Sequence, residues 1–127
     1  MREERAVLKL MSGLPDNVIG IEASGKVQAD DYHTVLDPAA AAAIKVHGKV
    51  RLLYVLGDAF QGYTPAAMWE DTKLGFHDLS AWERIAVVTD RAALADAVRV
   101  FGWLIPAEVR AYPTPQLDDA RAWVSEA

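Results

Sequence analysis

The chain has 127 residues, no cysteine and a formal net charge of -5. That excludes disulfides, thiolate nucleophiles and cysteine metal sites, and the acidic balance gives no help in gripping nucleic-acid phosphates. With 52% hydrophobic and 24% charged residues, the expectation is one globular domain over 1–127. No apolar run reaches membrane-spanning length and no signal-peptide core is seen, so a soluble, cytoplasmic protein without an integral membrane segment is expected.

Ala6 to Met11 reads as a short strand. Gly13-Leu14-Pro15-Asp16-Asn17 carries turn chemistry, and Val18 to Ala23, extending to Gly25, reads as a second strand. The two are expected to form an antiparallel hairpin. Lys26 to Asp31 then turns the chain toward a helix that ends at His47-Gly48, with Lys45 and Lys49 near its negative end. Pro38 breaks the helical spacing. Either the helix starts near Asp37-Pro38, or Asp30 to Leu36 forms a first segment joined at a bend.

Val50 to Phe60, VRLLYVLGDAF, is the organising stretch. Its apolar run to Leu56 is too short for a membrane span and too continuous for a half-exposed edge strand. It reads as a central, parallel strand buried on both faces. Gly57-Asp58 reads as a turn, which makes Gly57 to Thr64 a loop beyond the strand's carboxyl end, where α/β sheets usually carry a site. Thr64 is the expected N-cap and Pro65 the first position of a helix to Leu74 or Asp78.

Trp82-Glu83 leads into a second interior strand, Arg84 to Thr89. Asp90 is the expected cap of a helix from Arg91 to Phe101, with Leu94, Ala97, Val98 and Phe101 on its buried stripe. Glu108 to Tyr112 is a short strand, Pro113-Thr114-Pro115 a rigid turn, and Gln116 to Glu126 a last helix burying Leu117, Ala120, Trp123 and Val124. The order predicts an α/β fold: an N-terminal hairpin leading into a mixed, largely parallel sheet of about five strands with about four helices, joined by right-handed crossovers.

Four stretches together resemble the SpoIIAA-like family of small bacterial proteins, relatives of the STAS domain: GLPDNVIGIEASGKVQADDY from Gly13, HGKVRLLYVLG from His47, WERIAVVTD from Trp82 and EVRAYPTPQLDDARAWV from Glu108. The resemblance covers nearly the whole chain and implies the same mixed sheet, related by fold to lipid-binding domains of the CRAL-TRIO type. The family's biochemical role is generally unassigned. In the more distant anti-sigma-factor antagonists, the regulatory switch is a phosphorylatable serine at the start of the helix after the central strand. Here Gly57 to Pro65 contains no serine. Thr64 is the hydroxyl at that place, and an N-cap explains it with less assumption.

No chemical signature assembles. Gly57 and Gly62 do not match a dinucleotide or P-loop spacing. His77-Asp78 near Ser80 is not a triad, and His33, His47 and His77 lack metal-ligand spacing. Glu70, Asp71 and Asp78 read as helix solvation. The aromatic set is the most informative. Trp69, Phe76, Trp82 and Trp103, with Phe60, Tyr63, Met68 and Leu104, line either an apolar pocket or a core and dimer face.

The reading is a non-enzymatic, STAS-like domain that binds a protein partner or a small apolar ligand without a cofactor, with a homodimer among the expected states. The candidate binding residues are Asp58, Phe60, Gly62, Tyr63, Thr64, Met68, Trp69, Phe76 and Trp103. A phosphoregulated antagonist acting through Thr64 and a small hydrolase using His77 are the alternatives.

Overall fold

A computed structural model describes residues 7–27, 35–63, 81–103 and 107–126. Five strands form one sheet: β1 (Val7–Leu10), β2 (Val18–Val27), β3 (Val50–Tyr63), β4 (Trp82–Thr89) and β5 (Glu108–Tyr112). They lie in sequence order, β1-β2-β3-β4-β5. β1 pairs antiparallel to β2, with Leu8 opposite Ala23 and Leu10 opposite Ile21; the remaining pairs are parallel. Three α-helices are described: α1 (Asp37–His47), α2 (Ala92–Gly102) and α3 (Leu117–Ser125). The helix expected from Pro65 lies outside the described residues.

Alternation along the strands divides the core into two layers. Ile19, Ile21, Ala23, Leu52, Tyr54, Leu56 and Val87 face one side, where Ala40 and Ile44 of α1 and Leu94 and Val98 of α2 cover them. Val18, Leu53, Val55, Ala86 and Val88 face the other, under Ala120, Trp123 and Val124 of α3. A parallel interior strand must be apolar on both faces, and β3 meets that demand from Leu52 to Leu56.

Pro38 sits in the first turn of α1, the place where a helix best tolerates a proline. Val35 and Leu36, just before α1, are already in a π-helical turn. Gly48 ends the helix at φ 77°, a left-handed conformation that favours glycine, and donates its N–H to Ile44 O at 2.8 Å. A short 3-10 turn, Thr114–Gln116, precedes α3.

Several expectations need correction. Gly57 to Tyr63 is not a loop: β3 continues through it, because β2 also continues to Val27 and pairs with it, Gly25 with Phe60, Lys26 with Gly62 and Val27 with Tyr63. Lys26 therefore belongs to a strand rather than to a turn toward α1. Register shifts between Ala23 and Gly25 and between Gly25 and Lys26 absorb the uneven lengths. β4 begins at Trp82, two residues before the expected Arg84. On α2, Ala97 is exposed rather than part of the packed stripe. Gly102 closes that helix against β5: a Cβ there would lie 3.0 Å from Val109 Cβ.

Leu53 is fully buried. Leu53→Ala should lower unfolding free energy by about 2–5 kcal/mol in urea titration, with an unchanged slope. Val46→Ala, on the exposed side of α1, should stay within about 0.5 kcal/mol.

Candidate functional site

The three parallel pairings put the ends of β2, β3, β4 and β5 on one edge of the sheet. β4 stops where Thr89 pairs with Leu56, and β3 runs on from Gly57 to Tyr63 with β2 alone beside it. A two-stranded ribbon thus projects past the carboxyl edge. Among the described residues, its β3 margin on the β4 side has no strand partner. An unpaired margin offers a row of backbone donors and acceptors.

Beside it, the turn after β4 is fixed by side chains. Thr89, a buried hydroxyl, accepts the Arg91 N–H at 3.1 Å. Asp90 Oδ1 accepts the Thr114 N–H at 2.8 Å. The Asp90 carboxylate thus ties the β4–α2 turn to the turn after β5.

Of the candidate residues, Asp58, Phe60, Gly62 and Tyr63 all lie in the β3 extension. Thr64, Met68, Trp69 and Phe76 lie outside the described residues, as do His33, His77, Ser80 and Leu104. Trp103 does not join the rim. α2 leaves the carboxyl edge at Ala92 and runs back across the sheet, so Trp103 lies beside the start of β5, at the opposite edge, and is 90% exposed. Trp82 is a core residue, packed with Val50 and Leu52. His47 is exposed at the end of α1. The described residues hold no group of three His, Asp or Glu side chains able to bind a metal.

Among the described residues, the most developed polar network lies at the amino edge on the α3 side, away from the candidate residues. Arg51 Nη1 donates to Val124 O at 3.0 Å and to Glu126 O, and its Nε donates to Glu83 Oε1 at 3.1 Å. Arg84 Nη1 donates to Trp123 O at 2.7 Å and to Glu126 Oε1 at 3.1 Å, and its Nε lies 3.6 Å from Glu108 Oε1. The Arg84 guanidinium lies 5.2 Å from the Trp123 ring centroid, and that of Arg110 lies 4.6 Å away. The two strand arginines thus supply donors and positive charge to the carbonyl end of α3. Every charge in the network is engaged, which makes it an anchor for the helix. Its sequence signal is the placement of Arg51 and Arg84 inside otherwise apolar strands.

These features define an α/β protein with a mixed five-stranded sheet, a leading hairpin and helices on both faces. The SpoIIAA-like family model matches residues 18–125, and the chain belongs to that family. Among solved structures, the chain is similar to an uncharacterized protein of the DUF3478 family with a SpoIIAA-like fold from Shewanella loihica PV-4, with a TM-score of 0.75, 23% identity and 98% of each chain covered. No curated protein matches the chain.

Arg51→Met removes the donors to Val124 O and Glu126 O while keeping most of the stem. It should cost about 1.5–3 kcal/mol and speed amide exchange in α3 more than in α1. Arg99→Ala, which breaks the exposed pair with Asp96 at 3.1 Å, should change stability by less than about 1 kcal/mol.

Proposed function

We propose that this protein is a non-catalytic binding domain that takes up a protein partner along the β3 extension. The observation that carries the reading is the projection of Gly57–Tyr63 beyond the last β4 pairing, with its outer margin unpaired among the described residues. A partner segment in extended conformation would complete the ladder there. Backbone hydrogen bonds would supply affinity, and alternate side chains of β3 would supply selectivity. Phe60 and Tyr63 are the aromatic candidates for that selectivity, and Asp58 the charged one. Thr64, Met68, Trp69 and Phe76 follow directly in sequence and are proposed as contributors to the same surface. Homodimerisation through this margin would be one use of it.

The test compares the parent with Phe60→Ser/Tyr63→Ser after matched affinity purification and cross-linking. A protein captured by the parent, cross-linked at residues 57–63 and lost from the variant is the expected outcome. Identical capture by both proteins would sink the reading. Native mass spectrometry of the same samples adds a second readout: an apolar small molecule retained by the parent and lost from the variant would transfer the site to a ligand.

A further inference from the structure

The exposed large apolar side chains form a pattern. Among the described residues they are Leu10 (58% exposed), Val46 (76%), Val100 (66%) and Trp103 (90%). Isolated exposed apolar residues are ordinary and need no explanation, but contiguity does. Leu10 is paired with Ile21 and shares its side of the sheet. Val46 lies in the last turn of α1 and Val100 in the last turn of α2, with Trp103 just beyond it. α1 and α2 pack on that same side. Each helix descends from the carboxyl edge to feed the next parallel strand, so both finish at the amino edge. α1 contacts β2 and β3, and α2 contacts β4 and β5, which places the helix ends about two strand spacings apart, roughly 10 Å. Three separate elements therefore bring apolar side chains to one side of the molecule, and the two helices bring theirs to one end.

The charge beside them is positive. Lys45 and Lys49 flank Val46 and are exposed, and neither takes an ion pair among the described residues. Arg99 lies next to Val100 and is paired with Asp96. Among the described residues, the acidic groups at this edge are Glu83, Glu108 and Glu126, which are engaged by Arg51 and Arg84 on the α3 side, and Asp16 in the β1–β2 connection, which is exposed. The free charge of the described residues around Val46 is thus basic on a chain of net charge -5.

We propose that this end of the molecule docks on an anionic lipid bilayer, with Trp103, Val100 and Val46 entering the headgroup boundary and Lys45 and Lys49 meeting lipid charge. Tryptophan suits that depth because its ring is apolar and its N–H stays hydrated. A bilayer receives side chains projecting from separate helix ends, whereas a protein partner needs a matching set of pockets. A second copy meeting face to face would oppose the lysines. No described helix is long and apolar enough to cross a membrane, so the attachment is peripheral and reversible. The rest of the chain is repelled by anionic lipid, which makes binding weak and steeply dependent on salt.

The test is sedimentation of the full chain with phosphatidylcholine vesicles, pure or containing roughly one-third phosphatidylserine as the anionic lipid. Binding to the anionic vesicles alone, lost as salt rises toward about 0.5 M, is expected. Trp103→Ser/Val100→Ser and Lys45→Glu/Lys49→Glu should each weaken it by about tenfold or more. Both pairs are exposed, and circular dichroism confirms that the variants fold. Phe60→Ser/Tyr63→Ser should bind vesicles like the parent, so failure at the carboxyl edge and failure here are told apart. Indifference to anionic vesicles, equal binding to both kinds, or parent-like binding by either amino-edge variant would overturn the proposal. Self-association abolished by Trp103→Ser, with no vesicle binding, would overturn it in favour of a second copy.

Discussion

The structure depends on β3 being buried on both faces. Val50, Leu52, Tyr54 and Leu56 supply the layer beneath α1 and α2, and Leu53 and Val55 the layer beneath α3. Neither layer closes without this strand, and its pairing with β2 and β4 fixes the height of everything around it. A helix on each face is a consequence: a parallel strand this apolar has no side that tolerates water. The exception at its start is informative. The Arg51 side chain is mostly buried, and its guanidinium reaches carbonyls at the end of α3. A charge is tolerated at the margin of the core because it meets backbone acceptors that the helix cannot satisfy itself.

Much of this was legible in the sequence because the signals were local. The continuous apolar runs of β3 and β4 and the glycine after the end of α1 each mark an element without outside help, whereas Pro38 left two starts open. The extension of β3 was not legible for the opposite reason. Gly57-Asp58 and Gly62 carry turn chemistry, and what holds them extended is pairing with Gly25–Val27, far away in the chain. Strand formation there is a tertiary choice that overrides local preference. The Arg51 network has the same character: Arg51 and its acceptor Val124 are 73 positions apart, so spacing reveals a charge in an apolar run but not what it meets.

The sequence placed some of the candidate residues together and misplaced Trp103, where chain direction decides the matter. Asp58, Phe60, Gly62 and Tyr63 share one segment, as expected from their closeness in sequence. Trp103 was grouped with them by residue type, and type carries no information about which end of a helix a side chain occupies. β4 and β5 run parallel, so the helix joining them must return from one edge to the other. A residue just past its end is therefore as far from the β3 extension as the sheet allows. At about 3.3 Å per residue, β4 from Trp82 to Thr89 spans roughly 25 Å.

That separation gives the fold two surfaces of different character. At the carboxyl edge, strand backbone outruns its neighbour and side chains fix the adjoining turns. At the amino edge, the ends of α1 and α2 present apolar side chains beside lysines that take no ion pair among the described residues. Family membership accounts for the framework between them and leaves function to the edges, since a shared fold hosts many activities. The stiffest route from one edge to the other is β3 itself, packed from Leu52 to Leu56 with buried neighbours on both faces. Such a strand has no second arrangement to adopt without breaking both core layers. If both proposed surfaces are used, an occupant at one edge would leave the other edge unchanged.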